Sequence, residues 1–411
     1  METSKLRIQR HLEQLAEYTA TPGQGTTRMS YSEQDKQARN YLKQQMCQLG
    51  LQVREDAIGN IYGRLEGSEP NLPAVIIGSH FDSVPHGGAF DGPAGIVCGL
   101  DVIARIREQK LQPRYPIEVI ALVEEEGTSF GRGLMASSVI TGLIGTKELY
   151  QLKDRQGVSA AKRMAEAGFN ADKADEAILN PSQVKAFLEL HIEQGPILEQ
   201  AQEDVGIVDT IVGIAQLEVK LNGKAGHAGT TPMNMRSDAL VCASHIIGQI
   251  PAIAIAAGDG TVATVGRLNV LPNGANVIPS EVIFSVDIRS KNDKALRQTI
   301  ERIIDLVEKA SRQSAIQSDV IQPLYVPPTV LNENIHQLMV QHAAQQGLQY
   351  RTMVSGAGHD TMIFAGITQT GLIFVPSRNG LSHHPDEWTD YEQIVRGVDV
   401  MFATARSLAE C

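Results

Sequence analysis

Hydrophobic residues along this chain follow two alternating periods. Short apolar, β-branched runs, PAVIIGS (73–79), IEVIALV (117–123), AFLEL (186–190) and GLIFVP (371–376), read as buried strands. Between them lie stretches with helical spacing. Residues 32–49 place Tyr41, Leu42 and Met46 on one side, behind Ser32, a residue type that caps helices. Residues 93–108 open on Pro93, which suits a first helical turn, and continue through Val97, Leu100 and Ile103. Strand and helix in alternation predict an α/β domain with a mainly parallel sheet flanked by helices.

The pattern changes after residue 211. Residues 211–221 read as a strand, 234–250 as a helix, and 261–271 and 276–290 as strands. A charged helix over 293–313 and a strand over 315–325 complete the series. That order, β-α-β-β-α-β, is the split ferredoxin-like plan. The α/β pattern then returns, and Val326-Pro327-Pro328 makes a stiff junction. The expected organisation is a discontinuous α/β domain over 1–211 and 327–411, interrupted by a ferredoxin-like insert over 212–326. A chain of 411 residues is long for a single core, which agrees with two domains.

Charge narrows the partners. The formal net charge is −11 and no basic run occurs, which argues against nucleic acid or an anionic membrane. The four cysteines are scattered without a CxxC motif, as expected of reduced thiols. The amino-terminal residues lack the apolar core of a signal peptide, and the apolar stretch from Ile250 to Ala257 is too short to span a bilayer. A cytoplasmic protein is expected.

Candidate chemistry gathers where the strands should end. His80 and Asp82 follow the first run, Glu124, Glu125 and Glu126 the second, His191 the third, and His383 and His384 the loop after the fourth. Asp91 lies between glycines just before the Pro93 helix. In open α/β sheets, loops at the carboxyl ends of strands converge on one crevice. Imidazoles with carboxylates, and no cysteine among them, form a ligand set for divalent metal ions. Asp82 suits a role behind His80, fixing its tautomer, and Glu193 a similar role behind His191. Adjacent residues leaving a strand face different ways. Glu126 is therefore assigned as a ligand and Glu125 as general base, with Glu124 pointing away. Spacing favours His383 over His384 only slightly. The other histidines (11, 86, 227, 245, 336, 342 and 359) default to structural or exposed positions.

Five segments carry a family likeness: GSHFDSVPHGGAFDGPAG (78–95), EEEGTSFGRGLMAS (124–137), ELHIEQGPILE (189–199), GKAGHAGTTPMNMRSDA (223–239) and PSRNGLSHHPDEW (376–388). Together they resemble the amidase branch of the aminoacylase/carboxypeptidase metallohydrolases. That branch holds allantoate amidohydrolases, N-carbamoyl-L-amino acid hydrolases and β-ureidopropionases. The resemblance implies two divalent ions per subunit, and the nitrogen and oxygen donors suit manganese or zinc, with cobalt or nickel as further options. His80, Asp91 and His191 would hold one ion, and Asp91, Glu126 and His383 the other. It adds weight to His383, because the family pattern ending in S-H-x-P-x-E falls on Ser382 to Glu387.

It also implies a homodimer formed through the insert, with the insert closing over a small anionic ureido substrate. Glu125 and Asp82 are the catalytic carboxylates of this reading, and His227 stabilises the oxyanion from a glycine-rich loop. Gln216, Asn276 and Arg289 would bind substrate, together with His227 and backbone around Gly358. An Arg fork suits a carboxylate, and amide side chains suit a ureido group. Within the branch the motifs point to hydrolysis of allantoate to ureidoglycine, ammonia and carbon dioxide. The alternatives are an N-carbamoyl-L-amino acid hydrolase and, from another class, a catalytically silent, metal-stabilised binding protein.

Overall fold

The apolar runs form the strands of a nine-stranded sheet in the computed structural model, which describes residues 2–411. In chain order the strands are β1 (Gln52–Glu55), β2 (Ile61–Leu65), β3 (Ala74–His80), β4 (Ile117–Leu122), β5 (Val184–Ile192) and β6 (Val205–Ile211). There follow β7 (Gly213–Asn222), β8 (Gly226–His227), β9 (Val262–Leu271), β10 (Val277–Ile278), β11 (Glu281–Ser290) and β12 (Gln317–Val326). Last come β13 (Thr329–Val330), β14 (Tyr350–Ser355) and β15 (Gln369–Val375). The large sheet runs β1-β2-β4-β3-β5-β15-β6-β13, with β14 also on β6. Its four central strands, β4, β3, β5 and β15, are parallel, and antiparallel strands extend it at both sides.

Every residue of β3 and β4 is buried, as parallel strands require when helices cover both faces. The Pro93–Glu108 helix starts on its proline and packs against β3. The Glu33–Gln48 helix is capped by Ser32, whose hydroxyl accepts from the Asp35 amide. The Ser4–Ala16, Pro93–Glu108 and Tyr391–Ala409 helices contact one another. Buried Asp101 ties two of them through Arg7 at 2.6 Å and holds Arg105 at 2.7 Å.

The chain divides into two compact units: Thr210–Val330 with Val354–Gly358, and the remainder. The first of these contains an antiparallel sheet in the order β12-β7-β11-β9. Strand β11 alternates half-buried and buried positions along its whole length. Its inward Val282, Phe284, Val286 and Ile288 join Ile246, Leu296 and Ile303 from two helices in a separate core.

Two elements of this unit differ from the pattern reading. The helix expected over 234–250 spans Ala239–Ala257. Asp238 sets its start by accepting from the Leu240 and Val241 amides. Buried Ile246, Ile250 and Ala254 keep one face packed on both sides of Pro251, so the helix passes through the proline. This helix is long and apolar enough to cross a membrane by length and composition, with a third of that stretch buried. The strand expected over 276–290 breaks at Pro279-Ser280. Val277 and Ile278 pair with His227 and Gly226 instead, while β11 pairs with β7 and β9. Proline has no N–H to give a ladder.

Gly78, two residues before His80, tests the packing of the parallel core. A Cβ there would lie 2.0 Å from the Ile120 carbonyl oxygen. Gly78→Ala is expected to lower the unfolding midpoint, because backbone cannot yield as a side chain can. Gly248→Ala, in open space within the Ala239–Ala257 helix, is expected to gain about 0.5–1 kcal/mol. Denaturant unfolding of both variants checks the contrast, and a raised midpoint for Gly78→Ala would contradict it.

Candidate metal centre

Each chemically distinctive side chain is delivered by the end of a parallel strand. β3 ends on His80, β4 leads into Glu124-Glu125-Glu126, and β5 carries His191. The loop after β15 carries His383, and Asp91 precedes the Pro93–Glu108 helix. Parallel alignment puts these ends on one side of the sheet.

The two oxygens of Asp91 divide the cluster. Oδ1 lies 3.4 Å from His80 Nε2 and 3.1 Å from His191 Nε2. Oδ2 lies 3.2 Å from His383 Nε2, which is itself 3.4 Å from Glu126 Oε2. Of three groups able to hold an ion, two, His80–Asp91–His191 and Asp91–Glu126–His383, share this carboxylate, and the third is Glu189–His191–His359. His80, Asp91 and His191 are buried, whereas the His383 side chain is 48% exposed.

The chemistry of the donors fits divalent metal. His80 Nδ1 faces the Asp82 carbonyl oxygen at 3.1 Å, and His191 Nδ1 faces the Ile192 carbonyl oxygen at 2.9 Å. Carbonyls only accept, so each Nδ1 carries the proton and each Nε2 of the neutral ring presents a lone pair. Those lone pairs point at carboxylate oxygen, another acceptor. Such an arrangement calls for positive charge between the partners. Two ligands about 2.0–2.1 Å from one ion, at a tetrahedral angle, stand about 3.3 Å apart, close to the separations here.

The electrostatics point the same way. Burial opposes charge on His80, yet Glu125, Asp82 and Asp91 around it raise its pKa well above the usual histidine range. His383 is raised to about 9, chiefly by Asp91. Burial would raise the Asp91 pKa, but the three imidazoles hold it well below the carboxylate range. Burial, then neighbouring Asp91, push Glu126 up to about 7. Glu125 is raised well above its usual value by burial, with Glu126 among the further causes. Its Oε2 lies 3.9 Å from His80 Nε2, beside the first group rather than in it.

Asp82 does more than the sequence suggests. Its backbone oxygen, not its carboxylate, bonds His80, and the carboxylate stands 3.6 Å from Nδ1. The carboxylate accepts instead from the Glu125 amide at 3.0 Å and the Glu126 amide at 3.2 Å. Asp82 thus fixes both glutamates. Glu124 turns away from the cluster, accepting from the Ser129 and Phe130 amides. Glu193 does not stand behind His191. It caps the following short helix through the Ile197 and Leu198 amides, since two unpaired N–H groups lie within its reach.

Other residues at the cluster carry no strong sequence signal. Gln194 Nε2 donates to Asp91 Oδ2 at 2.9 Å, and Ser382 Oγ lies 3.0 Å from the same oxygen. Buried Glu189 accepts from Ser79 at 2.7 Å and from the Thr361 amide and hydroxyl, joining β3, β5 and the Asp360–Phe364 helix. His359, expected by default to be structural or exposed, is buried with its ring 4.5 Å from that of His191. His384 pairs with Asp386, away from the carboxylates around Asp91.

Gln216, His227, Asn276, Arg289 and Gly358 all belong to the second unit. Gln216 lies opposite Asp287 in the β7–β11 ladder, so it shares a face with Asp287 and Arg289. Arg289 donates to Asp287 at 2.8 Å and to the Gly356 carbonyl at 2.7 Å. His227 Nδ1 accepts from the Gly229 amide at 3.0 Å, which leaves Nε2 as the donor. The Ala228 amide donates to the Asn276 carbonyl, so His227 and Asn276 sit side by side.

A family model described as Peptidase family M20/M25/M40 matches residues 76–407. The chain is 42% identical to the N-carbamoyl-L-amino-acid amidohydrolase of Paenarthrobacter aurescens, over 98% of this chain and 97% of the relative. It is 35% identical to the allantoate amidohydrolase of Escherichia coli, over 98% and 97% respectively. A crystal structure of an amidase of the hydantoinase/carbamoylase family from Burkholderia multivorans is 32% identical, with a TM-score of 0.93 covering 98% of both chains.

Sharing through Asp91 has a direct consequence for metal content. Asp91→Ala is expected to lose both equivalents of divalent ion, while His191→Ala and His383→Ala each lose one. Elemental analysis of purified variants reads this out. Two equivalents retained by Asp91→Ala would contradict a shared carboxylate.

Proposed function

Because this chain belongs to peptidase family M20/M25/M40, we propose that it is a metal-dependent amidohydrolase cleaving a ureido C–N bond of allantoate. The products are ureidoglycine, ammonia and carbon dioxide. One observation carries the hydrolytic reading: two ligand groups joined through Asp91, with the carboxylate of Glu125 beside them. Two divalent ions held by two carboxylates and three neutral imidazoles leave the centre at about +2, which favours an anionic substrate.

Bound divalent ions there supply Lewis-acid polarisation of a carbonyl and acidify water. Glu125 takes a proton from the attacking water as the C–O bond forms and returns it to the departing nitrogen as the C–N bond then breaks. Asp82 holds the Glu125 and Glu126 amides and thereby fixes which way each carboxylate faces. His227, with Nε2 as donor, suits a developing oxyanion. Arg289 suits the substrate carboxylate, Gln216 and Asn276 the second ureido group, and backbone at Gly358 a further polar contact.

A second reading, an N-carbamoyl-L-amino acid hydrolase, is favoured by the higher identity to the Paenarthrobacter relative, 42% against 35% for the allantoate enzyme. It uses the same centre and the same Arg289 but replaces the second ureido group with an amino-acid side chain. The polar character of Gln216 and Asn276 supports allantoate. Manganese or zinc both suit the nitrogen and oxygen donors, and a cytoplasmic setting suits the reduced cysteines.

A homodimer through the second unit is also proposed. The Ala239–Ala257 helix leaves Val241 and Ile255 exposed, at 49% and 78%, and edge strand β9 leaves Val262, Leu268 and Leu271 exposed. These exposed apolar positions on the helix and on β9 support an association surface there.

Glu125→Gln should retain wild-type metal content while turnover falls by about 10²–10⁴-fold, measured as ammonia release. Unchanged turnover would remove Glu125 from the chemistry, and a metal-loaded wild type that releases no ammonia from any of these compounds would select the silent-binder alternative. Across a panel of allantoate and N-carbamoyl-L-amino acids, kcat/KM is expected to be highest for allantoate. A higher value for any carbamoyl amino acid would select the second reading. Ile255→Glu is expected to shift the mass seen by light scattering from dimer to monomer, and an unchanged dimer would rule out this helix as its interface.

A further inference from the structure

The loop that carries His383 reaches Asp91 through a residue that belongs to neither ligand group. Glu387 is 4% exposed. Its Oε1 accepts from the Phe90 and Asp91 amides, both at 3.0 Å. Its Oε2 accepts from Ser382 Oγ at 3.0 Å, and Ser382 is the neighbour of His383. The Glu387 amide in turn donates to the His384 carbonyl, closing a tight turn beyond His383. His383 itself holds a left-handed backbone, with φ of 56°. A non-glycine residue in that region keeps its shape only where its surroundings impose it.

Gly88 supplies an independent observation. A Cβ at this position would stand 2.1 Å from Glu387 Oε1 and 2.4 Å from Glu387 Cβ. The glycine loop before Asp91 is therefore shaped around this carboxylate.

We infer that Glu387 is a positioning residue that sets Asp91 and His383 in register, so that Asp91–Glu126–His383 closes as one ligand group. One carboxylate grips the backbone of the shared ligand with one oxygen and the loop of the exposed ligand with the other. Without it, the His383 loop meets Asp91 through Ser382 Oγ and His383 Nε2 at the single oxygen Oδ2, beside Gln194. The inference rests on the two-ion reading above.

The test is calorimetric titration of cobalt(II) into metal-free protein, with the visible cobalt spectrum recorded at each equivalent. The wild type is expected to bind two equivalents. In Glu387→Ala the weaker equivalent should lose ~10–100-fold in affinity, as when partners behind metal ligands are removed, and its spectral band should change. Gly88→Ala should reproduce this effect by displacing Glu387 without removing charge, which keeps the idea testable if Glu387→Ala folds poorly. Asp101→Asn, a buried carboxylate in the helix layer, serves as a control. It should lower thermal stability and leave both equivalents and their spectra unchanged. Wild-type affinity and spectrum in both Glu387→Ala and Gly88→Ala would overturn the positioning role alone. A wild type that binds fewer than two equivalents would overturn the two-ion reading beneath it.

Discussion

Carboxylates and imidazoles crowd together at the ends of the parallel strands, and their shared lone pairs demand positive charge. Asp91 is the hinge of that demand. Its Oδ1 faces His80 and His191, and its Oδ2 faces His383 and, beyond it, Glu126. Backbone carbonyls fix the Nδ1 protons of both buried histidines, so in the neutral rings the Nε2 atoms offer electron pairs towards Asp91. Buried acidic groups left without compensation would cost several kcal/mol each. Divalent cations answer the cluster as a whole, and a family of metal-dependent amidohydrolases is where such a cluster belongs.

Around this centre the sheet and its loops divide the labour. The parallel strands β3, β4 and β5 fix the Cα positions of His80 and His191 and the departure point of the glutamates. Strained turns then aim what the strands cannot. Glu124, Gln194 and His383 all hold left-handed backbones, with φ of 58°, 58° and 56°. Each is anchored nearby: Glu124 by the Ser129 and Phe130 amides, Gln194 by Ser377 Oγ, and His383 by the turn that Glu387 closes. Strain concentrated in this way at a site reflects a geometry imposed by the whole fold.

Local pattern carried most of the fold in readable form. The buried strands are continuous apolar runs, the Glu33–Gln48 and Pro93–Glu108 helices begin at a cap and a proline visible in the chain, and the parallel centre follows from strand–helix alternation. The Ala239–Ala257 helix was less legible, because tertiary packing of Ile246, Ile250 and Ala254 outweighs the local effect of Pro251. The candidates that meet at Asp91 were legible because ligand chemistry restricts side-chain types and strand ends restrict their places, while their grouping and the preference for His383 over His384 leaned on the family resemblance. Their supports were not. Glu387 bonds an amide 296 positions earlier, and Asp82 bonds amides 43 and 44 positions later. No spacing rule encodes such contacts. Glu193 was misread for a related reason: a carboxylate near a histidine can equally cap the helix that follows, and only coordinates separate the two.

Anomalous diffraction from crystals of the metal-loaded protein tests most directly the proposal that two cations flank the Asp91 carboxylate. Two anomalous peaks are predicted, about 3.5–4 Å apart, one beside His80 and His191 and one beside Glu126 and His383. A single peak, or peaks remote from Asp91, would contradict it.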